Sequence, residues 1–268
     1  MISVLTAALF VITTAHASAW ADESAGTPGQ GVPVEKYVAG KSIERRPIRC
    51  EIYGDGPDVL MVIATIHGSE PSGTPLVAAF AEWLVAHPDE LVGRTVVIIP
   101  VANPDGFATG NRFNAHEVDL NRNFPAGNWG VPQAAYGNTS PRGDTFAHGN
   151  RFKPGHTPLS EPESRVLMQL LCRYFPNRII SIHQPVACID YDGPAEQLAA
   201  AMAAKCPLPV RQLGSRPGSL GSFVGTTLER PIITWELPED AGMNADSLWK
   251  TYGEALIAAL RFEDKVRD

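Results

Sequence analysis

The sequence predicts a single α/β domain with a mixed, largely parallel central sheet and helices on both faces. Three apolar runs rich in β-branched residues, 59–64, 95–101 and 178–182, have the composition of buried strands. Segment 74–86, between the first two runs, has apolar residues at helical spacing, and a strand–helix–strand unit implies parallel pairing. The length of 268 residues suits one such domain, and the sequence has no internal repeats.

The other elements follow from the same patterns. A further strand is predicted before the turn 54–57, a fourth helix closes the chain, and a long segment with little periodicity, 102–160, connects the two halves. Connections of that length inside a domain usually carry function. The predicted elements are the strands 46–53 and 232–235 and the helices 162–174, 195–205 and 246–262.

Composition and charge exclude several classes of partner. The chain is 44% hydrophobic, as expected for a globular protein with a sizeable core. Its formal net charge of −7 argues against nucleic acid and anionic membranes as main partners. After the N-terminal segment, no run is long and apolar enough to span a bilayer.

The N-terminus resembles an export signal. An apolar stretch, 4–14, is too short to span a bilayer and precedes small-x-small sites at 15–21. We therefore predict a cleaved signal peptide at 1–21, a leader or linker at 22–40, and a catalytic domain at 41–268. Residence in the periplasm or outside the cell would follow. The alternative is that the apolar stretch forms an N-terminal helix of the domain.

The four cysteines leave the thiol chemistry open. Cys50, Cys172, Cys188 and Cys206 lack the C-x-x-C spacing of zinc or redox sites. Export would permit disulfides in three pairings, whereas small buried thiols are the simpler alternative.

Residues that bind metals follow the predicted strands. His67 and Glu70 come directly after the strand in 61–66, and His183 and Glu236 each follow another strand. Open α/β sheets place their sites at such strand ends. A catalytic zinc takes three nitrogen or oxygen ligands and keeps one position open, which indicates zinc on His67, Glu70 and His183. Glu236 is then the candidate general base that moves the proton of water to the leaving amine.

A second group of residues suits an anionic substrate. Within Asp119-Leu120-Asn121-Arg122-Asn123, the guanidinium of Arg122 beside the amide of Asn121 can hold a carboxylate through paired hydrogen bonds. Arg112 is a candidate for stabilising the oxyanion that forms when water attacks a carbonyl.

These motifs together resemble the zinc carboxypeptidase family of metallopeptidases. His67-x-x-Glu70, 119–123, His183 and Glu236 occur in the order found in that family. The likeness is strongest to a branch that hydrolyses the γ-D-glutamyl–meso-diaminopimelate bond of peptidoglycan peptides. The segments that carry it, spread over roughly residues 60–240, are 103–106, 118–125, 160–163, 183–190, 217–222 and 233–238.

The resemblance implies a role for each matching residue. It implies one zinc on His67, Glu70 and His183, Glu236 as base, and Arg112 at the substrate carbonyl. It also implies that Asn121 and Arg122 bind the terminal carboxylate and that Asp119 orients the first histidine ligand. The family's mobile tyrosine is missing, since this chain has Gly214-Ser215-Arg216 in that region.

Three other functions remain open at this point. The chain could be a carboxypeptidase acting on ordinary polypeptides, or a related zinc amide deacylase that shares the metal motif. It could also bind peptidoglycan without cleaving it, although a binding module does not need Glu236. The matches at 187–189 and 217–222 favour the peptidoglycan-peptide hydrolase.

Overall fold

A computed structural model describes residues 33–131 and 153–263, which belong to one compact unit, Val32–Asp268. The described residues form a seven-stranded sheet in the order β1-β2-β4-β3-β5-β7-β6. The strands are β1 (Val34–Lys41), β2 (Pro47–Gly54), β3 (Asp58–Ala64), β4 (Arg94–Ile99), β5 (Arg178–His183), β6 (Val186–Asp192) and β7 (Ile232–Pro238). The helices are α1 (Gly73–Ala86), α2 (Pro104–Thr109), α3 (Pro162–Tyr174), α4 (Glu196–Ala203) and α5 (Ala245–Arg261).

The central strands are parallel and the edges are antiparallel. β3 pairs in parallel with β4 and β5, and β5 pairs in parallel with β7. β1 and β2 extend one edge in antiparallel fashion, as β6 does at the other edge. The predicted mixed α/β fold is therefore confirmed.

Strand alternation separates two hydrophobic cores. Because successive side chains point to opposite faces, Ile180 and Ile182 of β5 join the core under α1, α4 and α5. Ile179 of the same strand faces the second core, which includes α3. Ser181 and His183 share this second face, so the polar residues of β5 lie opposite the larger helical layer.

Four local predictions need correction or extension. Residues 34–40, assigned to the leader, form most of the edge strand β1, because their backbone pairs with β2. Asn103 and the residues after it begin the short helix α2, whose first turn Asn103 caps by accepting from the Gly106 amide at 2.9 Å. Strand β6 was not predicted, and Glu236 lies inside β7 instead of following it. The predicted signal peptide lies outside the described residues.

The described residues contain neither a helix that could span a membrane nor a disulfide. Among the helices of residues 33–131 and 153–263, none combines the length and apolarity that crossing a membrane requires. All four cysteines are free in this structure. Cys50 and Cys188 are buried thiols, whereas Cys172 is exposed and Cys206 is partly exposed.

Arg178 ties the start of β5 to two other elements. Its guanidinium donates to both carboxylate oxygens of Asp58 in β3, at 2.5 and 2.9 Å. It also donates to the carbonyls of Ala259 and Leu260 at 2.6 and 2.7 Å, near the negative end of the α5 dipole.

We expect Arg178→Met to lower the free energy of unfolding by about 2–4 kcal/mol, because buried acceptors lose a charged donor. Arg261→Met is the matched control, since Arg261 is an exposed arginine on α5, the helix whose end Arg178 contacts, and is paired with Glu90. Exposed ion pairs contribute about 1 kcal/mol or less. Urea unfolding of both variants checks this, and equal losses would contradict the role given to Arg178.

Candidate active site

A tight turn after β3 positions the first two candidate ligands. Thr65 adopts a left-handed φ of 53°, which turns the chain away from the sheet at the point where β3 ends. The Glu70 amide then donates to the His67 carbonyl at 3.0 Å. Gly68 lies so close to α2 that a Cβ atom there would stand 1.9 Å from the Gly106 carbonyl carbon. Only glycine therefore allows this turn to pack against α2.

Three ligand atoms converge from the turn and from β5. Glu70 Oε2 lies 2.9 Å from His67 Nδ1 and 2.9 Å from His183 Nδ1. The two Nδ1 atoms are 3.2 Å apart. Three ligands at tetrahedral angles around zinc stand about 3.3–3.6 Å apart, given bonds of about 2.0–2.2 Å, so these atoms come within about 0.1–0.7 Å of that spacing. The spacing therefore suits one zinc ion, and all three residues are buried.

The hydrogen bonds made by the outer ring nitrogens of the two histidines bear on whether the inner ring nitrogens, which face Glu70, carry a proton or a lone pair. His67 Nε2 lies 3.0 Å from Asp119 Oδ1, and His183 Nε2 lies 3.0 Å from Ser181 Oγ. An ionised carboxylate only accepts, so His67 carries its proton on Nε2 and presents the Nδ1 lone pair to the site. That lone pair faces a second Nδ1 and a carboxylate oxygen. A ring nitrogen and a carboxylate oxygen that both accept, beside a second ring nitrogen, suit a cation such as zinc.

Asp119 is ionised although it is almost fully buried. Burial by itself would raise its pKa, but the charges of Arg112 and Arg122 and the hydrogen bond from His67 outweigh that effect and hold the pKa well below its usual range. The second carboxylate oxygen accepts from Arg112 Nε at 3.0 Å. Asp119 Oδ1 also accepts from the Asn121 amide at 3.0 Å. The predicted role of Asp119 in orienting His67 matches this geometry.

Arg112 borders the cluster and contacts two of its carboxylates. One terminal nitrogen donates to Glu70 Oε1 at 2.9 Å, while Nε and the other terminal nitrogen face Asp119. The Arg112 side chain as a whole is 29% exposed. Arg112 thus holds two buried carboxylates and stands next to the place predicted for the substrate carbonyl.

Glu236 is brought beside the ligands by strand pairing. It lies directly opposite His183 across the parallel β5–β7 pair, so the two side chains emerge on the same face. Its Oε2 accepts from the Val186 amide at 3.3 Å. Burial, reinforced by the negative charge of Glu70, raises the pKa of Glu236, and the nearby His183 opposes this. A raised pKa suits a residue that must first take a proton and then release it.

The predicted carboxylate-binding residues lie beyond Asp119, in the 3₁₀ turn Leu120–Arg122. The Asn121 side-chain carbonyl accepts from the Leu220 amide at 2.8 Å, and its Nδ2 donates to none of the described residues. The Arg122 guanidinium donates to the Asn121 carbonyl at 2.6 Å. Burial, together with the positive charges of Arg112 and Arg216 and against the attraction of Asp119, lowers the pKa of Arg122 to about 10. Arg122 therefore stays charged at neutral pH.

The contribution of Gln184 was not found from the sequence. Gln184, directly after His183, accepts from the Ser72 amide at 3.0 Å and donates to the Pro238 carbonyl at 3.1 Å. The backbone amide of Gln184 donates to Glu70 Oε2 at 3.3 Å. Gln184 therefore links the start of α1, strand β7 and the candidate metal ligand Glu70. Asp190 lies on the same face of the sheet as Glu236, and burial raises its pKa to about 7. A single polar residue such as Gln184 belongs to no recognisable sequence pattern.

Comparison with known protein families identifies the same chemistry. The sequence profile of the zinc carboxypeptidase family matches residues 29–201. Murein peptide amidase A of Escherichia coli (strain K12) is 34% identical over 209 residues, covering 76% of this chain and 80% of that protein. Murein peptide amidase A of Vibrio campbellii is 31% identical over 230 residues, covering 85% of this chain and 86% of the relative.

Solved structures resemble this fold over most of its length. The murein-tripeptide amidase of Escherichia coli O157 superposes with a TM-score of 0.63 at 29% identity, covering 90% of this chain and 95% of the other. Carboxypeptidase A of Helicoverpa armigera gives a TM-score of 0.66 at 21% identity, covering 86% and 69% respectively. The second likeness concerns the fold alone.

We expect Asp119→Asn to weaken zinc binding about 10–100-fold, because the amide loses the charge that holds the His67 proton on Nε2. His183→Ala should lose the metal altogether. His87→Ala is the control, since His87 is exposed and, among the described residues, its side chain hydrogen-bonds only to the Trp83 carbonyl. Competition titration with a chelator measures the affinities. Native zinc affinity in the Asp119 variant would remove that residue from the site.

Proposed function

The chain belongs to the zinc carboxypeptidase family, and on that premise we propose that it hydrolyses the γ-D-glutamyl–meso-diaminopimelate bond of peptidoglycan peptides. It is a zinc metallopeptidase. One observation carries the reaction class, namely the convergence of His67, Glu70 and His183 with Glu236 beside them on the same face of the sheet. The substrate class is supported by the relatives named as murein peptide amidases, which align over most of this chain.

The residues divide the reaction between them. Zinc on His67, Glu70 and His183 supplies a Lewis acid that lowers the pKa of water and polarises a carbonyl. Glu236 takes a proton from the attacking water and delivers it to the amine of diaminopimelate as the amide bond breaks. The hydroxyl remains on the glutamyl carbon as part of a carboxylic acid, whose proton passes to the released amine, so that the products are a carboxylate and an ammonium group. Arg112 faces the carbonyl oxygen on which negative charge develops.

The substrate's terminal carboxylate is assigned to Arg122 and Asn121. The guanidinium of Arg122 is a planar, charged donor, and the Nδ2 of Asn121, which donates to none of the described residues, is a neutral donor next to it in the chain. This arrangement suits a substrate that is cleaved next to its last residue.

The direct test is mass spectrometry of L-Ala-γ-D-Glu-meso-diaminopimelate incubated with the zinc-loaded protein. We expect L-Ala-D-Glu and free diaminopimelate as products. A polypeptide with an ordinary C-terminal residue serves as the comparison substrate. Cleavage of the polypeptide alone would replace the proposal with a general carboxypeptidase, and cleavage of neither would overturn it.

Glu236→Gln keeps the shape of the side chain but removes its basic carboxylate. Because proton transfer occurs only in the transition state, we expect kcat to fall about 10²–10⁴-fold with little change in KM. Steady-state kinetics with the tripeptide measure both constants. Native turnover by this variant would exclude Glu236 as the base, even with zinc fully bound.

Arg122→Lys provides the contrasting case in the same assay. It keeps a positive charge but loses the paired donors, so KM should rise more than kcat falls. Amidation of the tripeptide's terminal carboxylate should remove most of the reactivity of the substrate with the native enzyme. With Arg122→Lys, the same amidation should reduce reactivity only a little. A variant with an unchanged KM would show that Arg122 does not bind the substrate carboxylate.

We also propose that the protein is exported and acts in the periplasm. The support is the apolar segment 4–14 with its small-x-small sites, together with the location of peptidoglycan. The mature chain should begin between residues 18 and 22. N-terminal sequencing of the protein recovered from cell fractions tests this, and intact Met1 on cytoplasmic protein would refute it.

A further inference from the structure

A cavity of about 630 Å³ has Gly127 and Asn128, a few residues after Arg122 in the chain, in its lining. Its walls are the segment 127–128, the loop 213–216 and the π-helical turn Ser222–Thr227. Arg216 is the charged side chain among the described residues that line it. Among the described lining residues Arg216 is thus the single charge, with the carboxylate of Asp192 behind Ser215, and a cation at the wall suits an anionic group.

The backbone that carries Arg216 is held on both sides. The Arg216 carbonyl accepts from Ser222 Oγ at 2.6 Å and from the Ser219 amide at 3.0 Å. The preceding residue, Ser215, donates its hydroxyl to the buried carboxylate of Asp192 and lies 3.0 Å from the Thr226 hydroxyl. The position of Arg216 at the cavity is thus determined by the surrounding structure.

The guanidinium of Arg216 is left without a partner in the described part of the chain. It is half-buried, and residues 33–131 and 153–263 offer it neither an ion pair nor a hydrogen bond. A half-buried cation that is fixed in place and unpaired has lost part of its hydration without compensation. An anionic ligand would supply that compensation.

Arg216 also lies close to a second arginine. Its segment bonds directly to the segment of Arg122, since the Phe124 amide donates to the Gly218 carbonyl at 2.9 Å. Gly218 has a φ of +66°, and a Cβ there would stand 2.3 Å from the Arg122 carbonyl oxygen. The charge of Arg216 contributes to the lowered pKa of Arg122. Two repelling cations on interlocked segments point to a ligand with two negative charges.

We propose that Arg216 binds the distal carboxylate of the residue released by cleavage and so selects diaminopimelate over lysine. This inference rests on the proposed function. Diaminopimelate carries an amino-acid group at each end, whereas lysine has the same amine without the second carboxylate. Arg122 takes the carboxylate next to the scissile bond, and Arg216 takes the one at the far end of the side chain.

The selection is tested with the native enzyme and three tripeptides. The first ends in meso-diaminopimelate, the second in diaminopimelate with its distal carboxylate amidated, and the third in lysine. We expect kcat/KM to fall about 10–100-fold for the second and third, the range that a hydrogen bond to a charged group provides. Equal reactivity of the diaminopimelate and amidated substrates would overturn the inference. Failure of the native enzyme on all three would instead overturn the proposed function.

Arg216→Gln then assigns the selection to this residue. In this variant kcat/KM for the diaminopimelate substrate should fall about 10–100-fold, while kcat/KM for the other two substrates stays unchanged. The preference for diaminopimelate then disappears. Arg211→Gln is the matched control, because Arg211 is an exposed arginine near the same loop, and it should keep the native preference. An equal loss on all three substrates in Arg216→Gln would indicate a structural role and contradict the proposal. Zinc content and thermal unfolding establish that each variant is folded.

Discussion

The buried carboxylate of Asp119 is the constraint on which the arrangement of the site depends. It is 1% exposed and accepts hydrogen bonds from His67, Arg112 and the backbone of Asn121. A charge this deep is stable only when its oxygens are bonded, and each bond positions a different part of the site. The first bond sets the tautomer of a metal ligand and the second anchors a cation beside the metal. The third begins the turn that carries Arg122.

The metal site can coexist with a large core because of the two-residue period of the strands. In β5 and β7, the residues on one face are apolar and pack under α1, α4 and α5. On the other face, Ser181, His183 and Glu236 stand next to one another across the parallel pair. The polar groups therefore interrupt only one side of the sheet. Placing ligands on a strand and on a tight turn also keeps their separation fixed, as a metal site requires.

Chemistry and selectivity are located on different kinds of structure. The reacting groups come from strands and from the turn after β3, whereas the residues assigned to the substrate's carboxylates come from loops bonded to each other. Arg122 and Arg216 lie on such loops, which meet at Gly218. Loops can exchange residues without disturbing the core, so substrate preference can change while the zinc chemistry stays constant.

The amino-acid sequence by itself determined the fold class, the ligand types and the family. Buried parallel strands show as apolar β-branched runs, and the order of His67, Glu70, His183 and Glu236 is visible without any structure. Strand β1 was missed because an exposed edge strand lacks that apolar signal, and β6 was missed because its polar residues face the site. The pairing of His183 with Glu236, the bonding of Asp119 to three partners and the approach of Arg216 to Arg122 were decided only by the tertiary structure. Each of these depends on contacts between residues far apart in the chain, and local patterns do not encode such distances.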